Sequence, residues 1–70
     1  MNWIATPESS NIARICYVQE TQVLTVDFKN GGLYNYYDVP ETLFEQMKAA
    51  TSKGQFLAQN IKGRFRYARA

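Results

Sequence analysis

The sequence predicts a small α+β domain in which two helices pack on one face of an antiparallel sheet, in the order βββααβ. Three observations carry this. Strand-like runs joined by short turns fill the first half of the chain, two helix-period segments follow, and the last residues return to strict alternation. Seventy residues make one domain near the lower size limit for a single core, so most large apolar side chains must contribute burial.

The elements follow in order. Ile12 to Val18 are largely β-branched or aromatic and favour a strand. After a polar turn from Gln19 to Gln22, Leu24, Val26 and Phe28 alternate with Thr25 and Asp27, which defines a second strand with one apolar face. Leu33 to Tyr37 form the third. Asp38-Val39-Pro40-Glu41 reads as a helix start with Asp38 as N-cap, and Leu43, Phe44, Met47 and Ala50 then recur at helical spacing. Ser52-Lys53-Gly54-Gln55 offers a second capping box, opening a helix that carries Phe56, Leu57 and Ile61 and ends near Gly63. In the last strand, Arg64 to Arg69, Phe65 and Tyr67 are expected to face the core and the arginines solvent. Residues 1–8 read as an N-terminal extension and 9–70 as the domain, with Trp3 in the extension free to cover a core edge or an oligomer contact.

The loop after Phe28 decides where three tyrosines point, because a one-residue slip sends every side chain to the opposite face. A two-residue Asn30-Gly31 turn would pair Phe28 with Leu33 and leave Tyr34 and Tyr36 in solvent. A three-residue Lys29-Asn30-Gly31 loop, with Gly31 left-handed, would pair Phe28 with Gly32, Val26 with Tyr34 and Leu24 with Tyr36. The first buries Asn35, at roughly 1–3 kcal/mol for an unpaired amide, and exposes two rings. Core economy favours the second, which leaves Asn35 and Tyr37 on the outer face and brings the Tyr34 and Tyr36 hydroxyls near an edge.

Charge is segregated along the chain. The net +2 divides into −4 over residues 1–45, where Arg14 and Lys29 face six acids, and +6 over residues 46–70, which hold Lys48, Lys53, Lys62, Arg64, Arg66 and Arg69 and no acid. That suggests an anionic partner. Chemistry beyond binding finds little support. There is no histidine, the single Cys16 reads as a buried strand residue, and no nucleophile sits beside an evident base. No enzyme activity, metal or cofactor is expected, and since the first residues lack a basic start and a long apolar run and no stretch reaches membrane-spanning length, a cytoplasmic location is the default expectation.

Two candidate anion sites result. Ser52, Lys53 and Gly54 at a helix N-terminus combine free N–H groups, the helix dipole and a cation; the plainer reading makes Ser52 a cap and Gly54 a close-packing residue. Lys62, Arg64, Arg66 and Arg69 form a basic row that can grip a phosphate backbone or simply protect an edge strand. Tyr37 is the leading stacking residue, ahead of Tyr34 and Tyr36.

Several motifs taken in order resemble the KTSC domain, a family named for a short C-terminal module of some lysyl-tRNA synthetases and also found as stand-alone bacterial and phage proteins. They are Ser10-Asn11-Ile12, Ile15 and Tyr17, Leu24 to Phe28 with Gly31, Tyr34-Asn35-Tyr36, Val39-Pro40, Ala50 to Gly54, Phe56, Asn60 to Lys62, and Phe65-Arg66-Tyr67. The resemblance spans about residues 9–69. Cys16 stands where the family tends to have glycine and Val18 where an acid is common, a difference that bears on the twist of the first strand. The resemblance implies the fold and, through the synthetase connection, suggests RNA binding. The expectation is therefore a non-enzymatic module binding RNA or single-stranded nucleic acid through Lys53, Lys62, Arg64 and Arg66. Sequestration of a small phosphorylated ligand or nucleotide, or a protein-interaction role, are the alternatives.

Overall fold

The computed structural model describes residues 3–70. Five strands and two helices are formed among them: β1 Trp3–Ala5, β2 Ile12–Val18, β3 Val23–Phe28, β4 Gly32–Tyr36, α1 Glu41–Ala49, α2 Lys53–Asn60 and β5 Tyr67–Arg69. The strands make one antiparallel sheet in chain order, β1-β2-β3-β4-β5. The α+β character holds, but the sheet has one strand more than βββααβ allows. Trp3–Ala5, read from the sequence as part of an N-terminal extension, pairs with Arg14–Cys16 at the edge. Three residues are too few to display a period, which is why that strand left no signal.

The β3–β4 loop has three residues. Phe28 pairs with Gly32, Val26 with Tyr34 and Leu24 with Tyr36, so the tyrosine pair lies on the apolar face as core economy requires. The left-handed glycine is Gly32, at φ +81°, rather than Gly31. On the outer face Asn35 sits opposite Thr25, whose hydroxyl donates to its Oδ1 at 2.7 Å.

A bulge explains the untidy pattern of β2. Ile12 pairs with Phe28 but Arg14 with Asp27, so one extra residue is inserted beside Ala13. The insertion reverses the parity of the strand, and Ile12, Ile15 and Tyr17 all face inward although 12 and 15 differ in parity. Cys16 therefore points outward, yet it is buried, with Trp3 and Thr25 as its cross-strand neighbours. The Arg14 guanidinium lies 4.0 Å from the Trp3 ring centroid and its Nε donates to Asp27 at 2.9 Å, tying the first strands together on that face.

Both helices cover the inner face. Val39, Phe44, Met47, Leu57 and Ile61 pack against Ile12, Ile15, Leu24, Val26 and Tyr36, and all are buried. Tyr17 stacks on Phe44 at 4.5 Å between centroids and donates its hydroxyl to the Val39 carbonyl. The start of α1 differs from expectation. Pro40 is the N-cap and no side chain caps the helix, while Asp38 adopts φ 62° in the preceding turn, a left-handed conformation that aspartate tolerates better than most residues. Glu41 accepts from the Gln19 amide instead of closing a capping box. At α2 the expected cap forms: Ser52 Oγ accepts from the Gln55 N–H. The last strand is shorter than read, because residues 61–64 form a turn hydrogen-bonded to Leu57 and Ile61 carbonyls and only Tyr67–Arg69 reach the sheet. No helix among the described residues is long and apolar enough to cross a membrane.

Candidate functional site

The helices do not cover the whole inner face. Beside β4 and β5 the sheet is left open to a cleft of about 630 Å³, lined by Phe28, Tyr34, Tyr36 and Tyr67, with Lys62, Asn11, Asn30 and the backbone of Gly31 and Gly63 completing its walls. The size lies within the range of small-ligand sites. Register builds its aromatic wall: Tyr34 and Tyr36 share a face of β4, and Tyr67 is brought to the same face as the direct partner of Tyr36. Tyr67 was expected in the core. It lies on the inner face but is 59% exposed, because the chain between α2 and β5 passes the cleft without covering it.

The rings make a continuous surface. Phe28 meets Tyr34 edge-on at 5.6 Å, Tyr34 lies 5.9 Å from Tyr67, and Tyr67 lies 5.8 Å from Tyr36. Tyr36 is the deepest, only 3% exposed. Its burial, reinforced by Tyr67 and Tyr34, raises its pKa above the usual tyrosine value, so the phenol is protonated at neutral pH.

The cations separate into those in use and those without an acidic partner. Lys62 stands with its Nζ 5.5 Å from the Phe28 ring centroid, on the cleft wall, and the Arg69 guanidinium reaches over Gly32 beside Tyr34, its cross-strand partner. Arg69 was expected on the outer face with the other arginines; its pairing with Tyr34 places it on the aromatic side. Arg64 follows Gly63 at the cleft and is exposed. Among the described residues, Lys62, Arg64 and Arg69 form no ion pair, and no carboxylate lines the cleft. Arg66 and Tyr37 are apart from this group: Arg66 lies 5.2 Å from the Tyr37 ring centroid on the outer side and 3.7 Å from the Asp38 carboxylate, an exposed pair of little energetic weight. The leading stacking candidate, Tyr37, thus already carries a guanidinium on its ring.

The other candidate, the N-terminus of α2, is filled by the chain itself. Lys53 donates from Nζ to Glu8 at 3.0 Å and to the Ala50 carbonyl at 3.2 Å. A Cβ on Gly54 would stand 2.5 Å from Asn11 Oδ1, so the glycine serves close approach between α2 and the loop before β2. Ser9 organises that loop, its Oγ donating to Asn11 Oδ1 and accepting from the Ile12 N–H. The Glu8 carboxyl is held below its usual pKa by a backbone hydrogen bond and by Lys53. A helix end that already faces a carboxylate offers an external anion less than its free N–H groups suggest.

Sequence reasoning named Tyr34, Tyr36 and Lys62 but missed Phe28, Tyr67 and Asn11 as parts of one site. The signal was present in the pairing of Tyr36 with the closing strand, and it needed the strand order β3-β4-β5, which alternation alone does not supply.

Comparison with known proteins gives a consistent relationship. The chain is 43% identical over 61 residues to the lysine–tRNA ligase of Nostoc punctiforme, a match covering 87% of this chain but 11% of the ligase. The chain thus corresponds to a small part of those enzymes, and the ligase of Trichormus variabilis matches over the same share at 44% identity. A protein of Tsukamurella paurometabola is 41% identical over 84% of this chain and 88% of its own length. In structure, the crystal structure of a KTSC domain protein from Yersinia pestis superposes with a TM-score of 0.94 at 32% identity, covering 99% of this chain and 96% of that one. The model of the KTSC domain matches residues 8–65, and the chain belongs to the KTSC domain family.

Proposed function

We propose that this KTSC domain is a small non-enzymatic module that binds RNA, or single-stranded nucleic acid more generally, through the aromatic cleft between β4, β5 and the end of α2. The observation that carries the reading is a ring-lined cleft with Lys62 on its wall and no lining carboxylate among the described residues. Arg64 is next to Gly63 in the chain, Arg69 is paired opposite Tyr34, and none of the three cations has an acidic partner among the described residues. Bases stack on aromatic faces without regard to sequence, and cations beside them hold the backbone. The kinship with part of two lysine–tRNA ligases supports an RNA ligand. Capture of a phosphorylated small molecule at the α2 N-terminus is less well supported, because Lys53 and Glu8 already occupy each other.

The test is amide chemical-shift titration with a short single-stranded RNA, a mononucleotide mixture and inorganic phosphate. Shifts from RNA at Phe28, Tyr34, Tyr36, Lys62, Gly63 and Tyr67, weakening steeply with salt, are expected. Shifts confined to residues 52–54, or none with RNA, would reject the reading.

A further inference from the structure

We propose, resting on the RNA reading above, that the cleft is a subsite for one unstacked base that carries a ring carbonyl, and that the Tyr36 hydroxyl donates to that carbonyl. The base so chosen is uracil in preference to adenine.

Tyr36 is nearly fully buried, yet among the described residues its hydroxyl makes no hydrogen bond. The other fully buried hydroxyls are used, Thr6 donating to the Ile12 carbonyl and Ser9 to Asn11 Oδ1, whereas the half-buried Tyr34 and Tyr37 hydroxyls, like that of Tyr36, have no partner among the described residues. Among the described residues no wholly enclosed side-chain polar atom lacks a partner, so the Tyr36 oxygen keeps some contact with the space of the cleft it lines. A buried phenol ordinarily finds a partner, and one that opens on a cleft and finds none in the protein is free to find it in a ligand.

Asn11, itself exposed, supplies a further donor on the wall of the same cleft. Asn11 Oδ1 is occupied by the Ser9 hydroxyl, which leaves the amide N–H groups of a residue lining the same cleft without a partner among the described residues. The phenol and the amide are both donors, and a donor-lined cleft suits carbonyl oxygens, which accept and do not donate. Uracil has two ring carbonyls, each with two acceptor lone pairs, whereas adenine has no carbonyl and offers only ring nitrogens with one lone pair each. Position on the sheet explains how Tyr36 can do this: Tyr67 and Tyr34 flank it, so a base lying on their faces brings its edge toward the deeper hydroxyl.

Stacking strength and hydrogen-bond reading make opposite predictions, because purines stack better than pyrimidines. The experiment compares U8 and A8 RNA binding by fluorescence anisotropy for the wild type, Tyr36→Phe and Tyr67→Ala, with thermal melting to verify the fold of each. Wild type is expected to prefer U8. Tyr36→Phe, which removes an unpartnered hydroxyl and so keeps its fold, should weaken U8 binding roughly 2- to 12-fold and leave A8 unchanged. Tyr67→Ala should weaken both alike. A wild-type preference for A8, or a U8 preference that survives Tyr36→Phe, overturns the proposal while RNA binding stands. Failure of both homopolymers to bind wild type removes the RNA reading and this proposal with it.

Discussion

Tyr36 and Tyr67 are direct cross-strand partners on β4 and β5, with ring centroids 5.8 Å apart, yet one is 3% exposed and the other 59%. Two rings on one face of a sheet differ so widely because the helical layer stops between them. Leu57 and Ile61 of the α2 region belong to the core with Tyr36, and the turn at residues 61–64 then leads the chain away before it re-enters as β5. The edge of the core is thereby also the mouth of the cleft, and packing and binding meet in one pair of residues.

Tyr67→Ala should therefore separate the two roles. The ring is mostly exposed, so stability is expected to fall by no more than about 1 kcal/mol when its interactions with Tyr34 and Tyr36 are removed. Affinity for single-stranded RNA should fall by about 1–3 kcal/mol, the usual worth of one base stacked on an aromatic side chain. Anisotropy titrations and melting curves on the same preparations measure both, and unchanged affinity would count against the cleft.

Charge removal should follow the pairing in the structure. Lys62→Gln or Arg64→Gln is expected to reduce the slope of log affinity against log salt by about 0.7 for each phosphate of a single strand that the protein no longer neutralises. Lys53→Gln should leave that slope unchanged and act on stability alone, since Lys53 is held by Glu8 and the Ala50 carbonyl. A Lys53→Gln slope as shallow as that of Lys62→Gln would return the binding site to the α2 N-terminus.

How much of this was legible before the structure varies with the physical origin of each feature. Alternation in Leu24–Phe28 and the cost of burying Asn35 were enough to place Tyr34 and Tyr36 inward, because local chemistry and core economy agreed. Ser52 was readable as a cap because its hydroxyl acts three residues away. The strand at Trp3–Ala5 was not readable, since its existence depends on the free edge of β2 and not on its own pattern. Asp38 imitates a helix cap in sequence, but Pro40 sets the start of α1 and leaves Asp38 in a left-handed turn. Arg69 was grouped with Arg64 and Arg66 by charge. Pairing opposite Tyr34 gives it the other face, and with it a place beside the cleft.

Gly54 offers a test of close packing in which the sign depends on one neighbour. In an α-helix, Gly→Ala gains up to about 1 kcal/mol in propensity. At this position the new Cβ would meet Asn11 Oδ1 at 2.5 Å, and Asn11 is held in place by Ser9. Gly54→Ala alone is expected to destabilise, at about 1–3 kcal/mol for overpacking less the propensity gain. In an Asn11→Ala background the same change should be neutral or stabilising. Urea denaturation of the four proteins gives the coupling, and additive effects would mean that Asn11 moves aside at no cost.

The buried phenols predict how stability responds to alkali. Tyr36 has its pKa raised by desolvation first, then by Tyr67 and Tyr34; Tyr17 has its pKa raised by desolvation first, then by Glu41. Below the ordinary value of 10.0 both phenols are protonated in the folded and unfolded chain, and their contribution is fully present. As pH rises past that value the unfolded chain releases these protons while the fold retains them, so stability falls progressively until the raised folded pKa is passed. Comparing each variant with wild type cancels the titration of lysines shared by all. Tyr36→Phe should match wild-type stability near pH 8, having lost no hydrogen bond, and lose less than wild type between pH 8 and pH 11. Tyr17→Phe should also flatten the alkaline loss, but from a lower starting point by about 0.5–1.5 kcal/mol, because its bond to the Val39 carbonyl is gone. Urea midpoints at the two pH values decide the matter: equal alkaline loss in wild type and Tyr36→Phe would mean that the Tyr36 phenol is no harder to ionise in the fold than outside it, and a clear deficit of Tyr36→Phe at pH 8 would mean that its hydroxyl is bonded within the protein after all.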